Sequence, residues 1–151
     1  VISATFTPRA IRIPQESICL RAFSSVPAWA VVHAVRDDST APLVCEGEVV
    51  VVESNGRLGH IPEDGGLYLI EYATPRQSPD FGHERRTREI VLTSQKANGW
   101  YADPYACAMG RSRKVLMSDG PYGDITYLAQ KIVGRVVGVY RPSQPICREL
   151  K

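Results

Sequence analysis

Closely spaced cysteines are missing from this sequence: Cys19, Cys45, Cys107 and Cys147 are scattered over 151 residues without a Cys-x-x-Cys pair. Zinc sites want closely paired ligands, and disulfide frameworks belong mainly to small secreted chains, so free and mostly buried thiols are expected. No apolar run approaches bilayer-spanning length, and the N-terminus lacks a charged segment followed by an apolar one. Those absences disfavour a membrane-bound protein and favour a cytoplasmic one. Net charge is nearly absent too, at +2, and by itself argues for neither nucleic-acid nor membrane binding. The glycines never form G-x-G-x-x-G or a P-loop, which leaves nucleotide binding without support. A sustained helical apolar stripe is absent, as is any internal repeat. Lysine is scarce, 4 residues against 14 arginines, a balance that leans toward fixed surface or interface pairing.

What is present reads as β-structure. The length fits one domain able to bury a real core, and 44% apolar with 23% charged residues is ordinary for a globular protein. Residues 29–35, 48–53, 67–72, 86–93 and 127–140 are rich in Val, Ile, Leu and Tyr and predict strands. Turn chemistry separates them at residues 54–56, 63–66, 98–99 and 118–121. At most a short helical turn is expected, over residues 104–109. The fold class is therefore mostly β, a single domain of curled antiparallel sheets. Residues 1–27 carry Pro8, Pro14 and Pro27 and read as a linker or N-terminal arm, with short strands at 11–13 and 18–22, before a domain at 28–151. Residues 73–85 read as a polar loop whose prolines and glycine exclude a central strand.

One turn stands out. The run Asp37-Asp38-Ser39-Thr40-Ala41-Pro42 follows an apolar strand, and Gly47 and Glu48 then open the all-valine run Val49–Val52. A nucleophile needs a rigid strand end and an approach free of bulk. The arrangement resembles the serine-peptidase domain of LexA-type and phage CI-type repressors, whose hallmark reads roughly Gly-Asp-Ser-Met-x-Pro, then Gly-Asp and an apolar strand. Asp38, Ser39, Pro42 and Gly47 hold the expected places, while Asp37 replaces the glycine and Thr40 the methionine. Residues 62–70 look like the family's second Gly-then-strand step, residues 90–94 with 100–104 like its strand-then-proline stretch, and residues 132–141 like its closing strand. The resemblance implies the curled sheets of the LexA and signal-peptidase type; the missing membrane segment separates this chain from the signal peptidases.

The family's peptidases pair the serine with a neutral lysine, a base that works only where burial lowers its pKa. The resemblance puts that lysine on the strand after the second Gly-strand step, and residues 71–92 contain none. Arg76, Arg85, Arg86 and Arg88 occur there instead, with Arg85 and Arg86 closest to the lysine's place. A guanidinium stays protonated and has no lone pair to accept the serine proton, so an arginine would serve only to hydrogen-bond Ser39 or Asp38. Lys96 lies in a turn, and Lys114 and Lys131 are further off; His33 and His60 are possible bases in principle, but His33 reads better as a partly buried histidine. The scissile Ala-Gly or Cys-Gly of the self-cleaving repressors does not occur in residues 1–38. Both departures point to a peptidase core that has lost its activity, with Ser39 a vestigial nucleophile whose hydroxyl bonds nearby backbone. The cleft residues expected are Asp38, Arg85 and Arg86. No cofactor is implied. His83 and Glu84 lack the second histidine of a zinc-protease helix, so no metal is implied, and Arg111, Arg113 and Lys114 read as a solvated basic patch.

The alternation Lys131, Val133, Arg135, Val137, Val139 on one face of the last strand, with Gly134 and Gly138 on the other, allows either a dimerising edge strand or an internal strand with glycines for curvature. The family resemblance implies a homodimer. The reading is therefore the oligomerisation or regulatory domain of a phage-type or stress-response repressor, contacting DNA through a separate helix-turn-helix domain, with a protein or peptide partner in the vestigial cleft. Val1 is not a methionine, consistent with a fragment or processed product that such a domain precedes. An active self-cleaving serine peptidase and an unrelated β-barrel or sandwich binding module are the alternatives.

Overall fold

A computed structural model describes residues 18–54, 61–74, 85–108 and 119–142. The fold is mostly β: one open, curled sheet in which every pairing but one is antiparallel. Its strands are β1 (Arg21–Phe23), β2 (Ala30–Ala34), β3 (Val49–Glu53), β4 (Leu67–Thr74), β5 (Arg85–Lys96), β6 (Gly99–Asp103), β7 (Asp119–Tyr122) and β8 (Ile132–Tyr140). They lie in the order β2-β3-β8-β4-β5-β6-β7, so β2 and β7 are its edges. The two helices are short, α1 (Tyr105–Ala108) and α2 (Ile125–Ala129). Neither is long enough to cross a membrane.

The valine run makes β3 a buried strand: Val50, Val51 and Val52 are fully inaccessible, and β-branched side chains on a pleated surface favour this state. Hydrophobic cores form on both faces of the sheet. On one, Val50, Val52, Leu67, Leu69, Ile90 and Val136 pack together, and Val35 and Val44 descend onto them from the loop after β2. On the other, Tyr68, Ile70, Val91 and Ile132 are covered by Leu128 of α2. Each fully buried aliphatic side chain contributes about 1.5–3 kcal/mol.

β8 is the spine. β3 pairs along one side of it, while β4 and the parallel β1 divide the other. It is thus an internal strand, paired on both sides among the described residues. The proposed alternation along it also fails. Ile70 pairs with Ile132 and Leu69 with Gly134, leaving Val133 as an extra residue; Val52 pairs with Val136 and Val51 with Gly138, leaving Val137 extra. These two bulges re-aim the side chains, so that Val139 joins Val136 in the core while Arg135 reaches Glu63 at 3.1 Å. The glycines act where backbones crowd. A Cβ on Gly134 would lie 2.0 Å from the Glu53 carbonyl oxygen, and one on Gly138 would lie 2.2 Å from the carbonyl oxygen of Arg21.

Other boundaries differ from the sequence reading. Residues 127–140 divide into α2 and β8, because Asp124 caps a helical turn by accepting from the Thr126 N–H at 2.9 Å. The turn expected at 118–121 is partly strand β7, and beyond the turn at 98–99 residues 99–103 form a further strand, β6, paired in a hairpin with β5. Residues 21–23 belong to the sheet as β1, so the body of the domain begins before residue 28. Residues 73, 74 and 85 extend strands β4 and β5; the remainder of the 73–85 loop, the strand expected at 11–13, His60, Arg76, Arg111, Arg113 and Lys114 lie outside the described residues. Cys19 and Cys45 are free but exposed, and Cys107 half-buried, against the expectation of burial.

Candidate functional site

Ser39 sits in the loop that joins β2 to β3, and this loop is held from several directions. Val35 donates its N–H to Glu48 O at 2.8 Å and accepts from Gly47 N–H at 2.9 Å, closing the loop at its base. Thr40 and Val44 are buried, anchoring its middle in the core. The Asp37 carboxylate accepts from the Ser39 N–H at 3.0 Å, an Asx turn. The Asp38 carboxylate accepts from the Glu46 N–H at 3.2 Å and so staples one limb of the loop to the other. The Ser39 carbonyl accepts from Ala106 N–H of α1 at 2.8 Å. Ser39 is therefore fixed in place by the backbone and by its acidic neighbours. Its own hydroxyl makes no hydrogen bond to another described residue, contrary to the expected role.

A small cleft of about 50 Å³ opens beside Ser39, lined by His33, Asp37, Thr40, Arg88 and Ile90 among others. It shares His33, Arg36, Asp37, Arg88 and Glu89 with a larger groove of about 390 Å³ that runs past Val32 and Ala34 of β2 and Arg86 of β5. β2 and β5 are far apart in the strand order, so the groove exists because the sheet curls one toward the other. Arg86 lines the larger groove but not Ser39's cleft. Asp38 lines neither: its carboxylate is spent across the loop, and Asp37 takes the cleft position. Of Arg85 only the backbone, at the start of β5, is described. Arg88, Glu89 and Ile90 are the β5 residues that line Ser39's cleft, two to four residues beyond Arg86. Sequence reasoning missed them because the intervening loop hid the register.

Among the described residues no lysine lines either space. Lys96 stacks its ammonium 4.4 Å from the centre of the Tyr101 ring at the β5–β6 turn, and Lys131 donates to the Tyr122 hydroxyl at 2.5 Å. Beside the carboxylates of Asp37 and Glu89, Ser39's cleft is lined by the imidazole of His33. Burial, then the guanidinium charges of Arg88 and Arg36, push its pKa below 6.5, outweighing the opposing Asp37. It is neutral at pH 7. Among the described residues no His, Cys, Asp and Glu group is placed to hold a metal ion.

The groove has one more property. Val35 spends its N–H and C=O toward β3, so by strand alternation Val31 and His33 do the same. Val32 and Ala34 then turn their backbone N–H and C=O away from β3, to an edge with no partner strand among the described residues. These are the two β2 residues that, with His33, line the groove. No family model, curated protein or solved structure matches this chain at a significant level.

Proposed function

We propose that this chain is a regulatory domain with the architecture of a self-cleaving repressor's peptidase core but without its general base, and that its groove captures an extended peptide. The observation that carries this reading is the coincidence of three features in one place. A rigidly held serine opens on a cleft that no described lysine lines, that cleft is continuous with a groove, and the groove is bordered by the edge of β2, unpaired among the described residues. An extended segment laid along that edge gains main-chain hydrogen bonds at Val32 and Ala34, the mode called strand addition. In the setting of a repressor the domain would associate with a second copy, and a separate domain would contact DNA. The twin contact would use a surface other than the edge of β8, which β3, β4 and β1 occupy.

A second reading draws on His33. A neutral imidazole lining the same cleft as Ser39 is chemically able to accept the hydroxyl proton, which would make the domain a serine hydrolase with histidine in the lysine's role. One experiment separates the two. Wild-type protein and the Ser39→Ala and His33→Ala variants are held at neutral and alkaline pH, and intact mass is followed. Unchanged mass in all three supports the peptide-capturing reading. Cleavage that either substitution abolishes overturns it in favour of the hydrolase. Capture itself is tested by fluorescence anisotropy with a labelled extended pentapeptide and its counterpart N-methylated at alternate residues. Loss of binding on methylation is the expected mark of strand addition, and equal binding by the two overturns that mode.

A further inference from the structure

The charges around the groove are unevenly used. Arg86 and Arg88 both bind a single carboxylate, Glu71, at 3.0 and 2.6 Å. Arg88 does so through Nε alone, which leaves its terminal nitrogens for another acceptor. Arg36, exposed at the end of β2, has no hydrogen-bond or ion-pair partner among the described residues. The acidic side chains of the same groove are already engaged: Glu71 by the two arginines, Glu89 by the Tyr72 hydroxyl at 2.8 Å, and Asp37 by the Ser39 N–H. His33 lies between these sets and reports the local field. The guanidiniums of Arg88 and Arg36 each oppose its protonation more than Asp37 favours it, although the formal charges that line cleft and groove, three arginines against Asp37, Glu71 and Glu89, balance.

From this we infer that the peptide taken up along β2 is an acidic one, and that an aspartate or glutamate side chain of it sits between Arg36 and Arg88 at the mouth of the Ser39 cleft. This rests on the peptide-capturing reading and adds the chemical class of the partner. Strand addition fixes the peptide backbone against β2, and period-2 alternation then directs every second side chain toward β5, where Arg88 stands. A carboxylate there meets two guanidiniums that have unfilled donors, and charge-assisted bonds of this kind are roughly twice as strong as neutral ones. An apolar side chain at that position would leave the guanidiniums partly desolvated with nothing in return.

The test uses an acetylated, amidated, fluorescein-labelled pentapeptide, Val-Ala-Glu-Ala-Val, and the same peptide with Gln for Glu, titrated with the intact chain at pH 7 and low salt. The glutamate peptide should bind tighter by about tenfold or more. That preference should shrink several-fold in Arg88→Gln and in Arg36→Gln, with the weaker affinity for the glutamine peptide kept. Arg36 is outside the Glu71 network, so its variant keeps the test sound if loss of Arg88 disturbs folding. Addition of the glutamate peptide should also raise the His33 pKa, read from its imidazole proton shifts. Equal affinity for the two peptides would overturn the inference while leaving peptide capture intact. Binding of neither would overturn both.

Discussion

Gly134→Ala offers the sharpest check on the architecture, because the clash it introduces is with backbone rather than with a side chain that can swing aside. The new Cβ would stand 2.0 Å from Glu53 O and 2.9 Å from a Val52 methyl, where ordinary contact begins near 3.4 Å. β3 and β8 must then part by more than an ångström at the Glu53–Arg135 pair. That separation breaks about two ladder hydrogen bonds at about 1 kcal/mol each and loosens the packing of Val52, for a gross cost of roughly 3–5 kcal/mol. Alanine recovers about 0.5–1 kcal/mol over glycine by restricting the unfolded chain. The clash wins, and the net loss is about 2–4 kcal/mol, or a Tm fall of roughly 5–15 °C for a chain of this size. Urea unfolding, with Gly123→Ala as the reference, measures it: a Cβ at Gly123 meets nothing within 4 Å, and its effect should stay within about 0.5 kcal/mol. If Gly134→Ala is no worse than Gly123→Ala, the close approach of β3 to β8 is wrong, and with it the placing of β8 inside the sheet.

Further outcomes follow from single contacts. Thr93→Val should cost about 1 kcal/mol in urea unfolding, because the buried Thr93 hydroxyl donates to Glu63 O at 2.6 Å and its loss leaves that carbonyl only the longer bond from the Gly66 N–H at 3.2 Å. The His33 pKa is lowered on folding, so the unfolded chain protonates first as pH falls; this residue's contribution is complete above about 6.5 and declines as pH falls from there toward the folded value. His33→Gln should flatten that part of the stability–pH curve, and an unchanged slope between pH 7 and 5 would contradict the burial assigned to it. Asp38→Asn should leave Ser39 and its cleft intact, since an amide oxygen still accepts from the Glu46 N–H, whereas Asp38→Ala should loosen the loop; hydrogen exchange at the Glu46 amide distinguishes the two.

The fold class was legible because its signals are local. A run of four valines, glycine-centred turns and the absence of a helical stripe each restrict the backbone without reference to the rest of the chain. What the sequence left obscure depends on two strands at once. The bulges at Val133 and Val137 are invisible in β8 alone, since only the pairing with β4 and β3 makes those residues supernumerary. Strict alternation therefore put Val139 on the wrong face. The helix over Ile125–Ala129 escaped for a different reason: it is a single capped turn, too short for periodicity to separate from the strand that follows.

The site divides along the same line. Ser39 stood out because a polar turn between two apolar strands is written in one stretch of sequence, and the lack of a lysine between residues 71 and 92 can be read by inspection. Which arginine replaces it cannot, because that depends on how the curl of the sheet sets β5 against the loop after β2. Curling brings Arg88 and Ile90, rather than Arg86, to the serine, and it brings His33 from β2 to the same cleft. Arg88, Glu89 and Ile90 are thus the β5 residues that line the serine's cleft. A guanidinium and an aliphatic side chain accept no proton at physiological pH, and the Glu89 carboxylate already accepts from the Tyr72 hydroxyl, so His33 is the nitrogen base these elements bring to the cleft. The two guanidiniums that oppose an imidazolium there, Arg88 and Arg36, are the ones an incoming carboxylate would meet.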